Sequence, residues 1–286
     1  MPLHIQNKDV VCDLFADDSS LHSSSREIRT VEISLQQGLN DVLNWCVQQR
    51  MVLHPTKTKA MVITSRQKHQ REPLRLQLKV GDHTIDQVND HKVLGVLIDD
   101  KLTWEPHINH VCKNVARNLF LLSKLGHFVG LEARKCFFYA HCLSHINYAS
   151  PVWSGASDNH IKKLNSLYRR GANILSRNLD IPTDLKLQQL QLLPLLQQFN
   201  FNTAVLVHKV RHNEAPTYLR DFLVQATSRY GSLNYLLPYT KIDMFKASFA
   251  FSGAAIWNSL PLNVKSVKSL PAFKKALRKH LFLRKA

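Results

Sequence analysis

No run in these 286 residues approaches the roughly 18 consecutive apolar residues that a bilayer-spanning helix needs. The first ten residues carry Gln6, Asn7, Lys8 and Asp9 where an export signal would carry an apolar stretch. Cysteine is sparse and odd in number: the five are Cys12, Cys46, Cys112, Cys136 and Cys142, with no C-x2-C pair. A disulfide framework is therefore not expected, and the thiols read as reduced. There is no internal repeat and no low-complexity tract of the kind that signals disorder. These absences predict an intracellular protein of nucleus or cytoplasm, without a signal peptide, a transmembrane segment or a membrane partner. Acidic residues are missing from 244–286, which hold nine Lys and Arg.

What is present is a lopsided charge. The net charge is +17. Residues 1–100 are near neutral, with 12 Lys and Arg against 13 Asp and Glu, whereas 101–286 carry 26 against 8. Such asymmetry points to a polyanionic partner, nucleic acid before an acidic membrane. An apolar fraction of 44% is enough for a sizeable core.

Periodicity divides the chain in the same place. Residues 10–22 predict a strand, a tight turn at Ala16-Asp17-Asp18 and a second strand. Ser24 and Glu27 have capping-box spacing, and Ile28, Val31, Leu35, Leu39, Val42 and Cys46 form one helical face that ends before Pro55. Lys59–Thr64 reads as a strand and 65–73 as a loop. Arg75–Val80 alternates as a strand, Gly81-Asp82 as a hairpin turn, Thr84–Val88 and Val93–Ile98 as further strands, and Asp99-Asp100 as a plain turn. From about residue 105 the period becomes helical. Helices are expected over 105–122, 131–146, 158–177, 194–213 and 216–226, then a short strand at Ser248–Phe251 and a basic amphipathic helix over Pro271–Leu283. The expected fold class is α+β.

Asp17 and Asp18 are the first chemical candidates. Two adjacent carboxylates at a hairpin tip repel one another, and a divalent cation relieves the repulsion. Hard oxygen ligands suit Mg²⁺, and a pair of such ions about 3.5–4 Å apart drives nucleotidyl transfer. The plainer alternative is a solvated Asp-Asp turn.

The context of the pair resembles a family. Leu14-Phe15-Ala16-Asp17-Asp18 is similar to the F/Y-A-D-D hairpin of reverse transcriptases. Leu53-His54-Pro55-Thr56-Lys57-Thr58-Lys59 resembles the segment that follows their palm helix. His91–Asp99 with Leu102-Thr103-Trp104 and His107-Ile108 resembles the stretch that leads from palm into thumb. Asn147–Trp153, Glu214–Leu219 and Ala255–Pro261 resemble later segments. The order and spacing look most like the non-LTR retrotransposon reverse transcriptases of the jockey-like group, in their C-terminal part. The resemblance implies a partial polymerase palm of β-hairpins and one helix over 1–104, a helical thumb-like region over 105–180 and a basic helical region over 181–286. It implies Asp17 as the main metal ligand with Asp18 supporting it, and Lys57 beside a triphosphate, where a loop lysine is the alternative. It places Leu94-Gly95 in a primer-grip-like hairpin, where a strand bulge is the alternative, and implies RNA/DNA primer–template as partner.

The family's site also needs a third carboxylate on an upstream strand and a Gly-rich segment. Met1–Ile5 resembles the tail of the stretch just after that segment, and Asp9 and Asp13 lie within or beside the hairpin itself. The expectation is weak or absent Mg²⁺ binding and no polymerase activity from this chain alone. Lys274, Lys275, Arg278, Lys279, Arg284 and Lys285 suit phosphate contacts without base reading; a solvated helix face is the alternative. Cys136, His141, Cys142 and His145 invite a zinc reading, but their apolar neighbours favour a buried helix. Three functions remain open: part of a retrotransposon polymerase, a non-catalytic nucleic-acid-binding protein, or a helical interaction protein.

Overall fold

A hairpin, a helix and an extended segment laid across that helix open the chain. The structure is a computed structural model that describes residues 5, 7–65, 67–68, 74–177, 179–226 and 233–283. It divides into two compact units, Met1–Leu102 and Thr103–Ala286. Helix and strand are mixed in the first and helices dominate the second, an α+β composition. No helix among the described residues is long and apolar enough to cross a membrane.

In the first unit β1 (Val10–Phe15) pairs antiparallel with β2 (Asp18–Ser23) around the two residues Ala16 and Asp17. The expected strand, tight turn and second strand form. Strand α-carbon pairing puts Val10, Cys12, Leu14 and Leu21 on one face, and Val10 is buried against α1 (Ile28–Gln48). The predicted face of α1 also holds, with Leu39, Val42 and Cys46 buried. The capping box does not form. Helix α1 starts after Glu27, whose side chain makes no cap bond, and the Glu27 N–H is instead met by Ser25 Oγ at 3.4 Å.

The other side of α1 carries residues 74–80. Leu74, Leu76, Leu78 and Val80 are buried and Arg75, Gln77 and Lys79 exposed, the expected alternation. Regular strand pairing covers only β4 (Lys79–Val80), after β3 (Lys59–Ala60). The reason lies in who takes the backbone bonds. Gln77 N–H donates to Glu32 and Lys79 N–H to Gln36, both from α1 and both at 2.8 Å, while Leu76 N–H donates to Gln87. Side chains thus satisfy donors that a strand ladder would use. Beyond Gly81 (φ +58) come β5 (His83–Thr84) and β6 (Asp86–Gln87), the latter parallel to β3. Leu39, Ala60, Leu76, Leu78, Val80 and Ile85 form this unit's core. The expected strand over Lys59–Thr64 shortens to two residues, and the 65–73 loop lies mostly outside the described residues.

Val93–Ile98 is a hairpin and not a single strand. β7 (Asp90–Val93) and β8 (Val96–Asp99) turn at Leu94-Gly95, with φ 46° and 86°. Asp99 is not in a plain solvated turn either; it ends β8 and is buried.

The second unit begins with α2 (Glu105–Leu125), whose Ile108, Val115, Leu119 and Leu122 are fully buried. The predicted 131–146 helix is α3 (Leu131–Phe138), a π-helical turn at Tyr139–Leu143 and α4 (Ser144–Asn147). After α5 (Ser150–Trp153), α6 (Asp158–Leu175) packs on α2 through Leu164, Tyr168, Ala172 and Leu175. Tyr168 Oη donates to the Leu193 carbonyl at 2.8 Å, satisfying a hydroxyl that burial would otherwise strand. Then come α7 (Thr183–Gln189) and α8 (Leu195–Arg211), each opening after a proline, where the fixed φ and missing N–H cost nothing.

Two expectations fail here. Residues 216–226 form only a 3-10 turn at Thr217–Arg220, because Val224 and Ala226 pair with Leu236 and Asn234. After α9 (Asp243–Lys246), the segment read as a strand at Ser248–Phe251 opens α10 (Phe249–Asn258). Its Ala254 and Trp257 are fully buried in a cluster with Val207 of α8 and Phe273, Leu277 and Leu281 of the last helix. That helix, α12 (Leu270–Leu283), follows the short α11 (Leu262–Lys265) and buries the predicted face.

Candidate active-site hairpin and basic surface

The Asp17-Asp18 site is built by the shortest possible connection between β1 and β2. Phe15 pairs with Asp18, so Asp17 sits in the turn and Asp18 opens β2. Closing this turn puts Ala16 at φ 54°, a left-handed conformation that costs an L-residue roughly 1–2 kcal/mol. Such strain persists only where the surroundings impose it, and it concentrates at functional sites. Arg50, Leu94, Leu102, Trp104, Ala149, Gln191 and Asn213 share the left-handed backbone, so this strain is not confined to the hairpin.

Both carboxylates are exposed, and the pairing puts Asp18 on the solvent face of the hairpin with Asp13, Ser20 and His22. Asp13 is engaged by His22 Nε2 at 3.1 Å. Val11 and Phe15 lie on the same face, 59% and 65% exposed. Two carboxylates supply hard oxygens of the right kind for Mg²⁺. Among the described residues, however, no group of three or more His, Cys, Asp or Glu gathers to hold a metal. The described donor set is thus short of a two-ion site.

Lys57 is exposed in a compact turn. Its N–H and that of Thr58 both donate to the His54 carbonyl at 3.2 Å, and Thr56 Oγ1 lies 3.1 Å from His54 Nδ1. The turn fixes the backbone and leaves the ammonium in solvent. Leu94 and Gly95 form a hairpin tip, not a bulge, with the Leu94 side chain 44% exposed.

On α12, Lys274, Lys275 and Lys279 are exposed opposite the buried Phe273, Leu277 and Leu281. Arg278 is occupied within the fold: its Nη1 donates to the Gln191 carbonyl at 3.2 Å, and its guanidinium lies 5.2 Å from the Phe201 ring centroid. Arg284 and Lys285 lie outside the described residues, as do Met1 to His4. The Cys136, His141, Cys142 and His145 positions do not converge. Cys142 is fully buried, and burial pushes its thiol up to about 12, which disfavours a thiolate ligand. His141 is exposed and packs at a tilt against Phe137, ring centroids 4.6 Å apart, and Cys136 is exposed.

The polar side of α6 was not expected to carry a site. Lys162, Arg169 and Arg170 line an open cleft there. The signal was in the sequence, since these residues recur at helical spacing opposite the apolar face, but the dense basic run of α12 outweighed it.

No protein-family model matches the chain, and no solved structure matches it. Two curated proteins of Drosophila melanogaster do. The probable RNA-directed DNA polymerase from transposon BS is 24% identical over 166 residues, covering 57% of this chain and 18% of that protein. The probable RNA-directed DNA polymerase from transposon X-element is 24% identical over 183 residues, covering 60% and 20%. The matched stretch is about a fifth of each relative's length. This chain therefore contains a region distantly similar to the RNA-directed DNA polymerases of transposons.

Proposed function

We propose that this chain is part of a non-LTR, jockey-like retrotransposon reverse transcriptase. It supplies the last hairpins and helix of the palm and, after residue 104, a thumb and basic helical region that hold primer–template. The observation that carries the reading is the strained two-residue turn that presents Asp17 and Asp18 side by side, in a chain similar to transposon polymerases. In this reading Asp17 is the main Mg²⁺ ligand of a complete site and Asp18 supports it. Lys57 faces the triphosphate, Leu94 and Gly95 touch the primer strand, and the lysines of α12 meet phosphates.

Alone, the chain binds Mg²⁺ weakly and does not polymerise. Two exposed carboxylates position neither the attacking hydroxyl nor the leaving group, and misplacement by an ångström costs orders of magnitude in rate. The test is templated nucleotide incorporation by the purified chain with Mg²⁺, beside primer–template binding. Binding without incorporation is the expected result. Incorporation abolished by Asp17→Asn would overturn the inactive reading, and absence of any primer–template binding would overturn the nucleic-acid reading. The strong positive charge of 101–286 favours the binding role over a purely structural one.

A further inference from the structure

We infer that the outer face of α6 is a second phosphate-backbone site, separate from both the Asp17-Asp18 hairpin and the basic helix α12. The inference rests on the nucleic-acid reading above and assigns residues to it. Helix α6 buries Ile161, Leu164, Tyr168, Ala172 and Leu175. Its opposite side carries Lys162, Asn165, Ser166, Arg169, Arg170 and Asn173, spaced i, i+3, i+4, i+7, i+8 and i+11, and therefore on one stripe. These residues, with Thr183 of α7, line an open cleft of about 450 Å³.

The lining is rich in donors and holds no carboxylate. Arg169 is paired with Asp184 at the rim, which holds its guanidinium in place and cancels its charge. Lys162 and Arg170 are exposed and make no ion pair among the described residues, so two positive charges face solvent uncompensated. Asn173 Oδ1 accepts from Thr183 Oγ1 at 3.3 Å, so the polar group Asn173 still offers is its NH₂, a donor. Phosphate is an acceptor at every oxygen and fits such a wall.

Spacing selects a polyanion. Lys162 and Arg170 are eight residues apart on one helix, roughly 12 Å at 1.5 Å per residue. Two cations so spaced along one groove suit an extended anion. A nucleic-acid strand, with a charge every ~3.4 Å along the axis of a duplex strand, presents phosphates to both cations at once. The contact carries charge and no base-reading arrangement, so it is sequence-independent.

The experiment is fluorescence anisotropy of the full chain with a labelled mixed-sequence single-stranded oligonucleotide, titrated across a salt series. The variants are K162Q/R170Q, the single R170Q and the charge-preserving K162R/R170K, each checked for wild-type circular dichroism. The double variant should lower the slope of log affinity against log salt by about 1.4, and R170Q by about 0.7, at roughly 0.7 per phosphate contact on a single strand. Between roughly 50 and 200 mM salt the wild type should then lose about sevenfold more affinity than the double variant. K162R/R170K should keep the wild-type slope. If K162Q/R170Q fails to fold, R170Q alone decides by its slope.

A slope unchanged in the glutamine variants while the wild type binds overturns the cleft and leaves the nucleic-acid reading standing. No binding by the wild type overturns both. Lys162- and Arg170-dependent capture by phosphatidylserine vesicles, without such dependence for the oligonucleotide, also overturns the assignment.

Discussion

A β-carbon on Gly38 would stand 3.0 Å from Cγ1 of Val10. This close approach seats the β1–β2 hairpin on α1, and the hairpin carries Asp17 and Asp18 at its tip. Mid-helix glycine costs roughly 0.5–1 kcal/mol relative to alanine, so the sequence accepts a weaker helix here in exchange for contact. Gly38→Val should therefore lift the hairpin from the helix and lower stability by about 1–3 kcal/mol. Hydrogen exchange checks it locally. The β1 and β2 amides should lose protection while the second unit's amides keep theirs, and Val10→Ala in the same chain should restore part of the loss.

Gly171 stands in the same relation to Phe138. An added β-carbon would overlap the edge of that ring, which is fully buried and has nowhere to go. On an open helix Gly→Ala stabilises by about 0.8–1 kcal/mol. Here Gly171→Ala should instead destabilise by about 1–3 kcal/mol in urea unfolding. Phe138→Leu should destabilise alone by leaving space, and the double variant should be more stable than the two losses added together. Simple additivity would mean that the two sites do not touch.

Much of this architecture could be read from the residues. The apolar run and turn over 10–18, the alternation over 75–80 and the helical faces of α1, α2 and α12 are local patterns, and local patterns survive folding. What escaped is set by contacts distant in sequence. Ser248–Phe251 has the aromatic content of a strand, yet Ala254 and Trp257 need one helical side to reach Val207 and Phe273. Residues 223–226 carry helix-like spacing, yet Leu236 and Asn234 claim their backbone. The β7–β8 turn escaped the periodicity of Val93–Ile98, because nothing in a leucine announces a left-handed backbone, and only the family resemblance placed Leu94-Gly95 in a hairpin. For the candidate site, the Asp17-Asp18 turn was legible from its motif. The burial of Asp99 and the internal docking of Arg278 were not, because each depends on which neighbour the fold supplies.

Leu94 lends itself to a trade-off experiment. Its φ of 46° is strained for leucine, and its side chain is 44% exposed, so replacing it gives up modest packing. Leu94→Gly removes the strain and should raise stability by up to about 1 kcal/mol, read as a higher urea midpoint. If the side chain touches the primer strand, the same variant should bind primer–template more weakly. Higher stability with unchanged binding would remove Leu94 from the proposed interface while leaving the strain argument intact.

His107 should make the second unit sensitive to mild acid. The ring is 3% exposed and packs edge-on against Trp153 at 5.3 Å. Burial, with a smaller contribution from the charge of His110, pushes its pKa from 6.5 down to about 4. Burial also lowers the pKa of His208. The sign follows from which state binds the proton. Below pH 6.5 the unfolded chain protonates His107 and the folded chain does not, so acid favours unfolding. The stability that His107 lends is whole above about pH 6.5 and is lost progressively as the pH falls toward 4. Through the middle of that window the loss approaches about 1.4 kcal/mol per pH unit for one such group. Urea midpoints of the wild type should fall steadily across the window. His107→Gln should lower the midpoint at pH 7.5, through lost packing on Trp153, but should show a shallower fall from there to pH 4.5. A variant as steep as the wild type would assign the acid sensitivity to other groups, His208 first among them.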